Sequence, residues 1–139
     1  MECKLELVLI PVSDVDRAKA FYSEQLGFSI DVDHRAGEEF RVVQLTPLGS
    51  ACSISFGVGI TDAAPGSTRG THLVVTDIEA VRAELAGRGV QVSDVRHMTP
   101  NGWQPGVHPE HQDYGSFADF ADPDGNTWVL QERGHGARE

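Results

Sequence analysis

The densest group of side chains able to do chemistry lies in one stretch rich in Pro and Gly, residues 99–113. Four titratable residues fall within six positions there: His108, Glu110, His111 and Asp113. Imidazole and carboxylate groups at this spacing could bind a transition metal or transfer protons near neutral pH. Pro109 argues against a helix, so the spacing does not match a pair of ligands on one helix face. The simpler interpretation is a solvated polar loop, and the sequence leaves the role of this segment open.

Three further residues could take part in a site. His72 lies in the predicted fifth strand, and His97 ends the strand before the loop. Buried histidines are usually hydrogen-bonded structural residues, which is the simpler interpretation for both. Trp103, inside the Pro/Gly loop, either caps a hydrophobic pocket or stacks on a flat ligand as a lid, and both interpretations stay open.

The elements that must position these residues occur twice in the chain. The segment Leu73–Glu79 repeats Ile10–Asp16 at an offset of 63 (75 minus 12), and each begins a helix. Both helix starts carry an S/T-x-x-D/E pattern, which predicts capping boxes formed by Ser13 with Asp16 and by Thr76 with Glu79. Asp14 is the alternative cap of the first helix. A second sequence match is between two tight turns, Thr46–Ser50 and Asp122–Asn126, at an offset of 76 (123 minus 47).

Each copy therefore predicts a strand, a helix and three strands. We expect one domain over residues 1–139, with module 1 at about 4–60, a linker at about 61–69 and module 2 at about 70–133. The later strands are predicted at roughly 29–34, 39–46 and 51–58 in module 1, and at roughly 91–98, 114–121 and 127–132 in module 2. The longer second copy is explained by a loop over Thr99–Asp113.

Composition excludes several classes of partner. The formal net charge is −10, from 21 acidic and 11 basic residues. Such a charge repels nucleic-acid phosphates and anionic lipid, so we expect neither nucleic acid nor a membrane as partner. The apolar N-terminal stretch is too short to span a bilayer and contains Glu6. Two cysteines make no disulfide framework, and a cytoplasmic location is expected.

Two segments carry a resemblance to a known family. The sequences VSDVDRAKAFYSEQLGF and DPDGNTWVLQE resemble the glyoxalase / bleomycin-resistance / extradiol-dioxygenase superfamily, which has the vicinal oxygen chelate fold. The resemblance runs from about Lys4 to Glu132. It implies an α+β fold of two tandem βαβββ modules, each a curved half-barrel, with a small-molecule cleft between them. It also implies a homodimer.

The resemblance further implies where a metal would be held in metal-using relatives. Counting from the helix starts and the P-x-G-N turn places the four ligand positions at Leu7, Ser53, Gly70 and Val129. Leucine, valine and glycine side chains offer no lone pair to a cation, and a serine hydroxyl is a poor ligand. We therefore expect no metal and no cofactor. A register shift of two residues would bring His72 to one of these positions.

Strand alternation gives the residues expected to line the cleft. Arg41 and Gln44 fall on opposite faces of one strand, as do Phe117 and Phe120 of another, and one of each pair should meet the cleft. We expect Gln44 and Phe120 to be the residues that face the cleft. Trp128 should belong to the core. The expected ligand-binding residues are Leu7, Gln44, Ser53, His72, Trp103, Phe120, Val129 and Gln131.

The function predicted on these grounds is metal-independent binding of a small, largely hydrophobic or aromatic molecule, of which sequestration is one form. The first alternative is a lyase or isomerase in which His72 is the acid or base. The second is an atypical metal-dependent enzyme that uses His72, His97, His108 and His111. Whether any reaction is catalysed stays open at this point, because a fold does not determine a function.

Overall fold

The computed structural model describes residues 1–136, and over that range the chain forms two α-helices and nine strands. The elements, in chain order, are β1 (Leu7–Leu9), α1 (Val15–Ala20), β2 (Ser29–Arg35), β3 (Arg41–Thr46), β4 (Ser53–Val58), β5 (Thr71–Val75), α2 (Ile78–Gly87), β6 (Arg96–Thr99), β7 (Gly102–Pro105), β8 (Ser116–Ala121) and β9 (Thr127–Glu132). The predicted α+β fold of two modules is confirmed. The chain divides into two compact units, residues 1–68 with 122–126 and residues 69–121 with those from 127 onward.

The first unit contains sheet A, with strand order β1-β4-β3-β2. Strand β1 runs parallel to β4, and the other pairs are antiparallel. One face is covered by helix α1 and the turn that follows it: Phe56 packs against the ring of Tyr22 at a centroid distance of 5.6 Å. Val43 and Leu45 share this buried, helix-covered face. The opposite face is called the open face of sheet A.

Both helices are capped by an aspartate rather than by the predicted capping boxes. Asp14 Oδ1 accepts the Arg17 N–H at 3.0 Å, and Asp77 Oδ1 accepts the Ala80 N–H at 3.1 Å. The Ser13 hydroxyl is bound to the Asp124 carboxylate instead. For α1 this is the second of the two expected caps, because a long-range contact engages the Ser13 hydroxyl; for α2 the predicted Thr76 box was wrong by one position.

Helix α1 continues into a π-helical turn over Phe21–Gln25, which buries Tyr22. The Tyr22 hydroxyl donates to Asp122 at 2.7 Å. Asn126, also fully buried, donates to the Pro11 carbonyl at 2.8 Å. The 122–126 turn is thus fastened to the first unit by buried polar groups, which explains its membership of that unit.

The second unit contains sheet B, with strand order β5-β9-β8-β6-β7, in which β5 runs parallel to β9. Its helix-covered face buries Trp128, Leu130 and Glu132, next to Ile78 at the start of α2. Trp128 is 1% exposed, so it belongs to the core as strand alternation predicts. The opposite face is called the open face of sheet B.

Strand β7 lies inside the segment 99–113 that was expected to be a loop, so that prediction was wrong in part. A tight turn joins β6 to β7: the Asn101 N–H donates to the Thr99 hydroxyl at 3.1 Å, and Gly102 has a φ of 100°. Pro100-Asn101-Gly102 is a turn signal between two short extended runs, and the hairpin it forms adds an edge strand. No helix within residues 1–136 is long and apolar enough to cross a membrane.

Candidate functional site

On the open face of sheet A, polar groups bond one another. Ser53 lies directly opposite Leu7 in the β1–β4 register. Its hydroxyl is 2.6 Å from that of Thr46, and the buried Ser55 hydroxyl donates to the Val43 carbonyl at 2.9 Å. Gln44 pairs with Ser55 across β3 and β4. Three expected ligand-binding residues, Leu7, Gln44 and Ser53, therefore share one face.

The helix-covered face of sheet A holds Arg41 of β3. The residue is 8% exposed, and its guanidinium donates to Asp33 at 3.0 Å and to Asp16 at 2.8 Å. Hydrogen bonds from Arg41, then Lys19, hold the pKa of Asp33 well below its usual range. Bonds to Asp33 and Asp16 raise the pKa of Arg41 further. Arg41 thus stabilises the covered side, and Gln44 is the residue that faces the open side.

On the open face of sheet B, His72 lies opposite Val129 in the β5–β9 register. The family's ligand position was counted as Gly70, with a shift of two residues to His72 as the alternative. The Gly70 N–H bonds Thr127, and His72 pairs with Val129 as Leu7 pairs with Ser53 in the first unit. His72 Nδ1 is 2.6 Å from the Gly70 carbonyl, which can only accept. A neutral ring must therefore carry its proton on Nδ1 and keep a lone pair on Nε2.

Three side chains from β6, β7 and β8 form an aromatic cluster on the same open face: Arg96, Trp103 and Phe117. The two rings meet edge to face, at a centroid distance of 5.3 Å and an angle of 90°. The Arg96 guanidinium lies 4.8 Å from the Trp103 ring centroid and is paired with Asp119 at 2.8 Å. Trp103 remains 48% exposed. It is therefore held on a strand rather than on a free loop, with part of its surface open to a ligand.

The prediction that Phe120 binds the ligand was wrong. It lies on the helix-covered face, 4% exposed, stacked on Trp128 with a centroid distance of 6.1 Å. Phe117 pairs with Gln131 across β8 and β9 and is the phenylalanine of β8 on the open face. Phe117 and Phe120 do lie on opposite faces of β8, as predicted. Choosing the exposed one required knowing which face of the sheet α2 covers.

The histidines expected for an atypical metal enzyme do not come together. His97 and His108 lie edge to face at a centroid distance of 5.7 Å. His111 instead bonds Glu132 on the helix-covered side at 2.8 Å, whereas His72 is on the open face. One ion cannot be shared by residues on opposite faces of a sheet, so the proposed set of four histidines is ruled out. The sequence analysis did not identify Arg96 as a site residue. Arg96 and Met98 are two positions apart on β6 and therefore share the open face of sheet B.

The metal positions of the resembled family do not fit a metal here. In the first unit they hold Leu7 and a Ser53 hydroxyl already engaged by Thr46. In the second unit Val129 has no donor, and the imidazole of His72 is the one good ligand beside it. Neither a single hydroxyl in the first unit nor a single imidazole in the second is an adequate donor set for a divalent transition metal.

Comparisons with known proteins agree with this architecture. The family model for the Glyoxalase/Bleomycin resistance protein/Dioxygenase superfamily matches residues 4–130. TnmS3, an antibiotic-binding protein from Streptomyces sp. CB03234, is 33% identical with a TM-score of 0.74, over 95% of this chain and 97% of that one. A glyoxalase/bleomycin resistance protein from the same organism is 34% identical with a TM-score of 0.70, over 92% and 99%. The uncharacterized protein YetH of Bacillus subtilis (strain 168) is 26% identical over 125 residues, 90% of this chain and 94% of YetH.

The family match covers nearly all of both modules, and the solved relatives share their fold over almost the whole length. The chain belongs to the glyoxalase/bleomycin resistance protein/dioxygenase superfamily.

Proposed function

We propose that this protein binds a small, largely hydrophobic or aromatic molecule on the open face of sheet B, without a metal ion at the family's ligand positions. The observation that carries the proposal is the aromatic cluster, in which Trp103 keeps nearly half of its surface exposed. Phe117 fixes the indole from one side and Arg96 from above. An anchored, half-exposed ring is a stacking surface for a flat ligand at low entropic cost.

The surroundings of the cluster favour an uncharged ligand. Met98 and Val74 add exposed apolar surface to the same face. Because Arg96 is already paired with Asp119, it offers little net charge to an anion. The net charge of −10 also disfavours anions approaching from solution. An antibiotic-binding protein of the same fold at 33% identity supports small-molecule binding as the activity.

Tryptophan fluorescence tests this proposal directly. Trp128 is buried in the core, so a ligand on the open face should change the emission of Trp103 alone. We expect equilibrium dialysis against a library of flat aromatic compounds and antibiotics to find a ligand that quenches this emission. Trp103→Leu should weaken its binding at least about tenfold, or ~1.4 kcal/mol.

Leu48→Ala is the matched control, because Leu48 is a fully exposed apolar residue in a turn of the first unit. Its ligand affinity should equal that of the wild type. A library without any ligand, or equal losses in both variants, would argue against the proposal.

A second candidate function rests on His72. Its Nδ1 is bonded to the Gly70 carbonyl, so the Nε2 lone pair is free to accept a proton from a ligand bound on this exposed face. Such a residue could act as the acid or base in a lyase or isomerase step. His72→Ala with turnover lost and binding retained would favour the enzyme. Unchanged turnover of a bound substrate would exclude His72 as its acid or base.

The proposal includes a homodimer in the cytoplasm, as the family resemblance implies. Strand β1 is an edge strand of sheet A, and its Leu7 and Leu9 are both about two-fifths exposed. Apolar edges of this kind are usually paired or covered. Sedimentation velocity should give twice the mass of 15.1 kDa, and a monomer at all concentrations would contradict the proposal.

A further inference from the structure

A buried carboxylate on the helix-covered side of sheet B has two imidazoles as partners. Glu132, at the end of β9, is fully buried. Its Oε2 accepts the N–H of Ile78, the first residue of α2, at 3.0 Å. Its Oε1 lies 2.8 Å from Nδ1 of His111, and Oε2 lies 3.7 Å from Nδ1 of His135. We call these residues the His–Glu–His cluster: His111, Glu132 and His135.

The cluster brings together segments that are distant in the chain. The two imidazole rings stack with a centroid distance of 3.5 Å and an angle of 10°. One ligand atom from each of the three residues lies within 4.8 Å of the others. A fully buried carboxylate needs compensating partners, and here two imidazoles join the single backbone N–H.

We propose that the His–Glu–His cluster binds a divalent transition-metal ion, Zn²⁺ above all. Two imidazoles and one carboxylate form a donor set that Zn²⁺ accepts, with a fourth position left to water. The site lies on the face of sheet B opposite to His72 and Val129, so it is separate from the metal positions of the family. It goes beyond the ligand-binding function and does not depend on it.

Two of the ligand-atom separations suit such an ion, and the stacked rings must rotate for both of their in-plane lone pairs to meet at it. Bonds of about 2.0–2.2 Å in a tetrahedron place neighbouring ligand atoms roughly 3.4 Å apart. The two measured Nδ1-to-carboxylate separations, 2.8 Å and 3.7 Å, lie on either side of that value. Without the ion, Nδ1 of a neutral His111 donates to Oε1, and Nδ1 of His135 lies 3.2 Å from the Thr76 carbonyl, which can only accept. With the ion, both nitrogens turn their lone pairs to it and each ring carries its proton on Nε2.

The ion would act as a clip between three segments. His111 belongs to the connection from β7 to β8, Glu132 ends β9 and is bonded to the start of α2, and His135 follows β9. Both imidazoles are about one-third exposed, which leaves a route from solvent. Because metal binding favours the folded state, it should raise the unfolding temperature.

The test uses untagged full-length protein, freed of metal with a chelator and titrated with Zn²⁺ in a calorimeter. We expect one equivalent per chain. At about 100-fold excess over Kd, the unfolding temperature should rise by roughly 5–10 °C. His135→Ala and His111→Ala should each weaken Zn²⁺ binding at least about tenfold. His34→Ala is the matched control, because His34 is an exposed histidine of sheet A, and it should bind like the wild type.

Two results would overturn the proposal: no Zn²⁺ bound at about 100 µM, which is far weaker than structural zinc sites, or wild-type affinity in His135→Ala. His135→Ala is not expected to disturb folding, because His135 is part-exposed and lies beyond the last strand. An unchanged Trp103 emission spectrum would show that the fold of sheet B is intact. Loss of Zn²⁺ binding with ligand binding retained would separate this site from the open face.

Discussion

The open faces of the two sheets come from equivalent strands of a repeated module, yet they have different chemistry. On sheet A, the Ser53, Thr46 and Ser55 hydroxyls bond one another or the backbone, and the apolar side chains beside them are the aliphatic Leu7 and Leu9. On sheet B, the corresponding side presents Trp103 and Phe117 with part of their surface exposed. Satisfied hydroxyls have little to gain from an apolar ligand, whereas exposed rings gain by being covered. The repeat thus preserves the backbone, whereas these exposed aromatic rings belong to the second copy.

The helix-covered faces differ as well. Sheet A compensates its buried Arg41 with two aspartates. Sheet B compensates its buried Glu132 with two imidazoles and a helix N–H. The first arrangement uses groups that stay charged at neutral pH, and the second uses groups that can exchange a proton for a metal ion. The comparison predicts a purely structural charge cluster in one unit and a ligand-responsive one in the other.

The largest expected effect comes from Arg41→Ala. It would leave Asp33 with Lys19 as its remaining cation on the covered face, and breaking a buried pair usually costs 3–5 kcal/mol. Because Asp16 is well exposed, we expect a loss of about 2–3 kcal/mol in the free energy of unfolding, measured with urea. Lys4→Ala removes an exposed pair and should change stability by less than about 0.5 kcal/mol. Equal stability of the two variants would refute the structural role.

A pair of variants tests whether the open faces really differ. Phe117→Ala removes the edge-to-face support of Trp103 and should weaken ligand binding about tenfold, or ~1.4 kcal/mol. Ser53→Ala removes the contact with Thr46, which should cost about 1 kcal/mol of stability and leave affinity unchanged. Both quantities can be measured by dialysis and urea unfolding. The reverse pattern would place the ligand on sheet A.

The smallest expected effect is the pH dependence that Asp33 gives to the stability of the fold. The pKa of Asp33 is lowered in the folded state by Arg41 and Lys19, so this group stabilises the fold above its ordinary pKa of about 3.9. That stabilisation is lost as the pH falls below this value toward the folded pKa. Asp33→Asn should be less stable at neutral pH and should lose less stability than the wild type between about pH 4 and pH 2. Parallel curves for the two proteins would show that Asp33 does not contribute.

Much of the fold and part of the candidate site could be predicted from the sequence. The repeat gave two modules, and alternation placed Trp128 in the core and Gln44 opposite Arg41. The helix starts were correct to one residue, because local spacing of apolar and capping residues controls them. Strand β7 was missed because its four residues carry little periodicity, although the Pro100-Asn101-Gly102 turn was there to be found.

The sequence by itself determined the order of the elements and which side chains alternate along each strand, since both follow from local backbone geometry. Tertiary structure alone decided which face each helix covers, and so whether Phe117 or Phe120 is exposed. It also decided that His72 pairs with Val129, because register depends on hydrogen bonds between strands distant in the chain. The meeting of His111 with Glu132, 21 residues further along, has the same origin.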